Sequence, residues 1–482
     1  MKRLSILLSA CLVAFSCQPQ FDMVPPSTSA PVQQEFSENW FVTLNGSGSK
    51  SGTDWNNALP FSKFLTMISN PSSNLSDAGI HIQEGRYLVP EADGFLTISK
   101  DILCVRGGYR KGLEYDDLSD CDPEKYPTVF TGDVNGNGVA DEGDGAFALV
   151  TEGTVRFENI TFTLFYKGAK MNTVTEGKGG AVFGLNGQYL TTSVECNNCV
   201  FLGNVSGVAG TSGHEGGAAC YIHQGYFKAR GCVFKDNSSN SRGGAIRSGG
   251  KQAVLFMDRC FFTGNSIVGD WGSAVQNSEG VVCANNCTMV GNSGKGSTLN
   301  GGGAFFLSNN TVIDNSAPNG TSNAAFRCES KTDRGTILVN NVLSNANAEG
   351  VGLVMNSSAT FRSRGCNVIK SLVLGSGCTD PTVAEDYLIE KDKAAFVLEG
   401  KVEDNCFVWD IAQVQAGLKS YVTTDEVYDA AVSFDPSAYC SIAVLGRSFA
   451  TWVTPAAFSV DGRGKDRGED GFQPGSYDPN LD

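Results

Sequence analysis

The chain has 482 residues, with 58 Gly, 16 Cys and only 3 His, and its formal net charge is −15. Glycine at about 12% without a Gly-X-Y period excludes collagen, and 41% hydrophobic residues are too many for a disordered chain. The acid excess argues against nucleic acid as partner, and three histidines leave little for His-built metal or acid–base sites.

Residues 1–16 (MKRLSILLSACLVAFS) join a basic start, Lys2 and Arg3, to an apolar run and a small residue before Cys17, the pattern of a secretory leader. Ala14-Phe15-Ser16-Cys17 resembles a bacterial lipobox, which implies cleavage before Cys17 and lipidation of that residue. Losing Lys2 and Arg3 moves the mature net charge from −15 to −17. Residues 17–37 are rich in Pro, Ser and Gln and read as a tether. No later stretch approaches ~18 consecutive apolar residues, so the membrane is reached through the lipid anchor only. The expected location is the outer membrane or cell surface of a Gram-negative bacterium.

Residues 38–150 are assigned to an N-terminal cap and first coils. Within them, 114–124 (EYDDLSDCDPE) reads as a solvated acidic loop, and 133–144 (DVNGNGVADEGD) has ligand chemistry. Asp133, Asn135 and Asn137 fall at places 1, 3 and 5 of a calcium loop, with Gly138 at the turn. Val139 would offer a carbonyl, and Asp141 and Asp144 stand at places 9 and 12. Hard oxygens at alternate places around a forced turn suit Ca2+, in a structural rather than catalytic role. Asp in place of Glu at the last position, and a strand-like 127–131 before the loop, argue against an EF-hand helix pair.

Residues 151–375 repeat. Aligning 155–162, 194–201, 227–234, 255–262 and 282–289 gives a first apolar column of Val155, Val194, Phe227, Leu255 and Val282. A second holds Phe157, Cys196, Ala229, Met257 and Ala284; after a two-residue break a third holds Ile160, Cys199, Cys232, Cys260 and Cys287. The fourth is Phe162, Phe201, Phe234, Phe262 and Met289. Alternate apolar places on both sides of a break are two short strands joined by a bend. The break residues, such as Asn197-Asn198 and Arg230-Gly231, include types that tolerate a left-handed backbone. An asparagine follows at Asn204, Asn237, Asn265, Asn292, Asn315 and Asn345, at intervals of 33, 28, 27, 23 and 30 residues. A glycine-rich signature lies between, as in Gly179-Gly180-Ala181-Val182 and Gly243-Gly244-Ala245-Ile246. Short strands with a variable period make a parallel β-helix, not a helical repeat or a propeller.

The GGA(I/V)…C.F..N unit resembles the right-handed β-helix repeat of pectin-lyase-like surface proteins and polymorphic outer-membrane proteins. Residues 41–55, 80–87 and the C-terminal Asp461-Gly462-Arg463-Gly464 with Arg467 and Gly475 are similar to the opening, first turn and terminal motif of such secreted proteins. The expected fold is therefore all-β, a right-handed parallel β-helix solenoid with an N-terminal cap and a closing segment at 376–482. This scaffold carries lyases, hydrolases, adhesins and structural proteins alike, so it does not name an activity.

Stacked parallel strands hold equivalent side chains ~4.7–4.9 Å apart, too far for a disulfide, so the Cys199 column reads as buried thiols. Cys104–Cys121, Cys366–Cys378 and Cys406–Cys440 are the disulfide candidates. The asparagines read as structural, each satisfying the next coil. Alternation after each glycine pair points Val182, Ala219, Ile246, Val275 and Phe305 inward and leaves Phe183, Cys220, Arg247, Gln276 and Phe306 outward. Near that face fall Tyr221, His223, Arg242 and Trp271, and with Arg247 they form a candidate glycan contact. Resemblance to the lyases of this fold implies a carboxylate-bound Ca2+ and an Arg or Lys base; the hydrolases need clustered carboxylates. Glu195, Asp236, Asp258 and Asp270 stand isolated, and 213–216 (GHEG) does not match the polygalacturonase motif. No catalytic residue is assigned. The expected role is non-catalytic, either adhesion or binding of an extracellular glycan or surface protein by a monomer. The alternative is a polysaccharide lyase or glycoside hydrolase acting along the groove.

Overall fold

The computed structural model describes residues 36, 38–73, 75, 78–89, 95–168, 180–187, 192–207, 216–269, 271–313, 315, 324–330, 335–345, 351–389, 400–409, 423–434, 458–463, 465–467 and 475–476. The leader, the tether apart from Phe36, Cys440, Asp270 and 213–215 lie outside them. Among the described residues no helix is long and apolar enough to cross a membrane.

The aligned columns are spatial neighbours. Strand Thr154–Glu158 pairs in parallel with Ser193–Asn197, setting Val155 beside Val194 and Phe157 beside Cys196. The same register carries Val194 to Phe227, Leu255 and Val282, one coil at a time. Past the bend, Phe162, Phe201, Phe234, Phe262 and Met289 are successive partners. Three long parallel strips result. One runs from Gly85–Leu88 to Tyr387–Ile389. The other two form a single 20-stranded sheet, fused where Cys220–Arg230 and Ile246–Asp258 pass through both. A four-stranded parallel sheet, Tyr166–Lys167 to Ser266–Ile267, fills one corner. The fold is mostly β, a stack of parallel coils.

The bends are left-handed where the break residues predict. Asn159, Asn198, Arg259 and Asn286 have φ of 58°, 51°, 52° and 55°. Arg259 is the odd member, since a left-handed backbone costs a side chain with Cβ about 1–2 kcal/mol. Inside, Phe162, Phe201, Phe234 and Phe262 stack with ring centroids 5.3, 4.8 and 4.5 Å apart, close to the strand spacing. The asparagines form a ladder: each Nδ2 from Asn204 to Asn292 donates to the Oδ1 of the next, Asn237 through Asn315, at 2.8–2.9 Å.

The thiol column is buried, and it changes chemistry partway. Cys199, Cys232, Cys260 and Cys287 are each at most 1% exposed, and burial pushes all four thiols up. One coil beyond Cys287 the same place holds Asn310, whose Oδ1 accepts from the Cys287 backbone N–H at 2.9 Å. Asn310, Asn341 and Asn367 then form a second amide ladder ending on the Asp386 carboxylate. Thiol and amide are both small groups that satisfy themselves on backbone carbonyls, so one column accommodates either. The disulfide candidates are not borne out where they can be seen. Cys104 is not joined to Cys121, nor Cys366 to Cys378. Cys121 and Cys378 instead donate to the carbonyls of Gly107 and Asn356.

Segments before and after the coils protect apolar surface. Helix α1 (Phe61–Ser69) buries Phe61, Phe64, Leu65 and Ile68, and Phe61 lies 4.8 and 5.1 Å from the Tyr87 and Phe130 rings. Lys100 Nζ donates to the Met67 carbonyl near its C-terminus at 3.2 Å. Past the last coil, the described C-terminal pieces pack along the flank. Helix α2 (Thr424–Val432), begun by a Thr423/Glu426 capping box, covers an outer stripe of Phe256, Cys283, Phe306 and Ile337. The hairpin of Gly400–Glu403 and Cys406–Trp409 lays Phe407 and Trp409 over Val233, Phe261 and Val290. Arg467 donates to Asn286 Oδ1 at 3.1 Å and Gly475 N–H to the Asn340 carbonyl at 2.8 Å, pinning the terminal motif onto two bends.

Two inward/outward expectations fail. Phe183 and Cys220 point into the core; Phe183 packs on Phe157 and Phe162, both at 5.3 Å. Phe183 and Cys220, not Val182 and Ala219, are the partners leading to Ile246 and Val275. A one-residue slip between coils reverses which face a side chain takes. The fifth glycine-rich segment belongs elsewhere: Leu299 takes the place beside Val275, while Phe305 pairs with Val282 on the neighbouring strip. Phe306 does point outward, under α2.

Candidate functional site

A cleft of about 700 Å³ opens where the two fused strips meet. Ile222 pairs with Ser248 and Gln224 with Gln252, so Gly249, Gly250 and Lys251 stand opposite the single residue His223. Such a bulge bends its strand and re-aims the side chains around it. Here it raises one wall of the cleft. The glycines have a steric reason: a Cβ at Gly249 would collide with the Tyr221 hydroxyl, and one at Gly250 with the His223 carbonyl.

On the outer face Tyr221, Arg247 and Gln276 are partners on successive coils. The Arg247 guanidinium lies 5.4 Å from the Tyr221 ring centroid, and Tyr221, Arg247 and Gln276 are 3%, 3% and 4% exposed. Burial raises the Tyr221 phenol, with Arg247 opposing in part, so the hydroxyl is neutral and able to donate. Arg242, His223, Ser278 and Glu279 complete the lining with Gln224, Lys251 and Gln252. Glu279 is the one carboxylate among these lining residues.

Four of the five residues chosen from sequence, Tyr221, His223, Arg242 and Arg247, thus share one cleft. Trp271 sits just outside it, bridged through its backbone to Arg242 and covered by Arg327 with the guanidinium 4.1 Å from the ring centroid. Arg327 is neutralised by Glu329 at 3.0 Å. Gln224, Lys251, Gln252, Ser278 and Glu279 were missed. The signal existed: two extra residues separate Gln224 from Gln252 compared with Ile222 from Ser248. Two of the isolated carboxylates, Glu195 and Asp258, serve the wall. Glu195 bridges Arg156 and Lys228, at 3.1 and 2.7 Å, and Asp258 pairs with Arg230 and Arg259.

The 133–144 loop follows strand Thr128–Thr131, as its strand-like approach suggested. Its carboxylates face amide donors. Asp141 accepts from Asn135 and Asn137 Nδ2 at 2.8 and 2.6 Å, and Asp133 Oδ1 from Gly138 N–H at 3.3 Å. Asp144 is buried and accepts from the N–H groups of Val134 and Asp141. Backbone and amide donors, the Gly143 N–H foremost, hold the Asp141 carboxyl below its usual range, whereas burial raises that of Asp144. The Val139 side chain is exposed, and Arg86 pairs with Asp133 at 3.3 Å. Among the described residues no group of three or more His, Cys, Asp or Glu is arranged to hold a metal ion. The 114–124 loop is acidic and mostly exposed, but it also folds over the flank: Trp55 Nε1 donates to the Asp117 carbonyl at 2.8 Å.

No family model matches the chain, and no curated protein matches it either. Among solved structures it is similar to pectate lyase Pel9A, at 13% identity over 73% of this chain and 80% of that one, with a TM-score of 0.36. It is also similar to pectate lyase Bsp165PelA from Bacillus sp. N165, in complex with trigalacturonate, at 11% identity over 74% and 91% of the two chains, with a TM-score of 0.25. The solenoid itself is identified by the strand pairing described above.

Proposed function

We propose that the protein is a surface-anchored, non-catalytic β-helix lipoprotein that holds an extracellular glycan in the Tyr221–Arg247 cleft. The leader and Cys17 support the anchoring. The observation that carries the binding role is the cleft itself: arginine and lysine side chains converge there with amides and hydroxyls. Hydrogen bonds from these groups to sugar hydroxyls are the means. Of the alternatives, a hydrolase is the less well supported, because acid/base hydrolysis uses two carboxylates and Glu279 is the one carboxylate among the described lining residues, whereas a lyase would find its Arg or Lys base among Arg242, Arg247 and Lys251. The test is a panel of oligosaccharides incubated with the full chain, with and without EDTA. Binding is expected without release of unsaturated uronate or reducing ends. Turnover that disappears in Arg247→Ala would make the protein an enzyme.

The 133–144 loop belongs to this reading as a structural calcium site held by Asp133, Asn135, Asn137, Asp141, Asp144 and the Val139 carbonyl. What supports it is the spacing of the carboxylates and amides around a turn at Gly138, whose φ is 78°. Since metal binding needs the ionised carboxylates and burial raises that of Asp144, uptake is expected to weaken as pH falls. Calorimetric titration with Ca2+ is expected to show heat in the wild type and none in Asp133→Ala; heat in neither ends the calcium reading.

A further inference from the structure

We infer that the terminal motif around Asp461, Arg467 and Ser476 is a latch. It closes as one unit onto a seat made by finished coils, and its opening uncovers the hairpin thiol of Cys406. The latch stands apart from the cleft and from whatever the cleft holds.

By composition the motif is a solvated tail, since five of the seven residues from Asp461 to Arg467 are charged. The fold buries it instead. Asp461 and Ser476 are 0% exposed and Arg467 is 4% exposed. Buried charge is tolerated only when it is paired and hydrogen-bonded. The Asp461 carboxylate is satisfied inside the motif. It accepts from the backbone N–H groups of Arg463 and Lys465 at 2.9 and 3.0 Å, and from the Arg463 guanidinium at 2.8 Å. Val460 and Asp466 bridge across the same turn. A turn whose charge is satisfied internally can leave the coils without breaking its own bonds. Arg467 ties it to its surroundings, donating to the Val460 and Gly475 carbonyls at 3.0 and 2.9 Å and to Asn286 Oδ1 at 3.1 Å.

The seat is specific. The outer apolar column of Val200, Val233, Phe261, Val342 and Val368 is interrupted at Thr288 and Thr311. Both hydroxyls face Ser476. Its Oγ lies 2.6 Å from Thr288 Oγ1 and 3.2 Å from Thr311 Oγ1, and its N–H donates to Thr311 Oγ1 at 3.0 Å. Asn286 Nδ2 returns a bond to the Val460 carbonyl at 2.9 Å. Gly475 has a φ of 96°, and a Cβ there would stand 2.5 Å from Thr311 Oγ1, so glycine is what lets the chain come this close. The seat exists only when the coils of Asn286, Thr311 and Asn340 are stacked, so the latch closes after them.

Closure reaches the hairpin through Gly462. Its N–H donates to the Ser476 carbonyl at 2.6 Å, and a Cβ on it would stand 2.7 Å from Cys406 Sγ. Cys406 is 1% exposed, and burial pushes its thiol up, which keeps it unreactive while covered. The same strand lays Phe407 and Trp409 over the apolar column. With the latch shut, thiol and column are sealed together.

The test is alkylation of the native full chain by iodoacetamide, with each cysteine followed by peptide mass spectrometry. Cys287, 0% exposed in the coil interior, is the internal standard for unfolding of the solenoid. Arg467→Gln is expected to speed the labelling of Cys406 at least about tenfold and to leave Cys287 at the wild-type rate. Thr311→Val gives the seat the residue type of Val233 and Val342, so the coils keep their column while Ser476 loses its bonds to Thr311. Cys406 is then expected to react about fivefold faster. This second variant keeps the test valid should Arg467→Gln not fold. Acceleration of Cys406 and Cys287 together, in either variant, overturns the latch, because the motif would then belong to the cooperative core. An unchanged Cys406 rate in Thr311→Val overturns it too, since Thr311 acts on the thiol through Ser476 and Gly462.

Discussion

Replacing Asn265 with Ala is expected to lower the stability of the solenoid by about 4 kcal/mol, read from chemical denaturation of the full chain. Asn265 is fully buried and makes a complete set of bonds in the ladder. Its Oδ1 accepts from the backbone N–H and the Nδ2 of Asn237, at 3.1 and 2.9 Å. Its Nδ2 donates to the Phe234 carbonyl and to Asn292 Oδ1, both at 2.8 Å. Alanine strands two donors of Asn237 and one carbonyl away from water, and each orphaned buried group costs about 1–3 kcal/mol. A cavity beside the stacked Phe234 and Phe262 rings adds to the loss. The middle of the ladder is the severe place, because groups on both neighbouring coils lose a partner. A loss under about 1 kcal/mol would mean that the column is hydrated and the ladder is not what holds the coils in register.

Acidification is expected to cost the protein about 3 kcal/mol between pH 6.5 and pH 4 through one residue, His81. His81 is 1% exposed; its Nε2–H donates to Asn39 Oδ1 at 2.9 Å, and its Nδ1 accepts from the Tyr109 hydroxyl at 2.8 Å. Both bonds suit the neutral ring. Burial first, and then the charge of Arg106, lower its pKa to about 3. The unfolded chain takes up a proton near pH 6.5, while the folded chain resists it down to about 3. Between those values the unfolded state binds more protons, so stability rises with pH and is lost as pH falls. In His81→Gln the amide keeps both hydrogen-bonding roles without titrating, and the gap from wild type is expected to close over that window. Parallel pH profiles for the two proteins would show that His81 is protonated in the folded state.

The repeat columns were legible because they are local and periodic. Val155, Val194, Phe227, Leu255 and Val282 align in sequence and pair in space in the same register. The asparagine ladder was legible for a related reason: a buried amide at a constant offset from a strand must find a partner, and the next coil supplies its own. The conversion of the thiol column into a second amide ladder at Asn310 was not read, although Asn310, Asn341 and Asn367 stand where the alignment would have continued.

The sequence by itself determined the stack of coils, its interior and its left-handed bends, since period-2 alternation and the residues at each break specify local backbone. Tertiary structure alone decided the facing of Phe183 and Cys220, because alternation says which residues share a face but not which face, and one slipped residue reverses it. It also decided that Phe256, Cys283 and Phe306 are covered, since their partner α2 lies more than a hundred residues further along the chain. The cleft is the plainest case. Gly249, Gly250 and Lys251 are an unremarkable insertion until the neighbouring coil passes them with one residue, and only then do Tyr221, Arg247 and Glu279 share a space. The acidic composition speaks for the average surface, whereas the concentration of cations in that space depends on which coils meet.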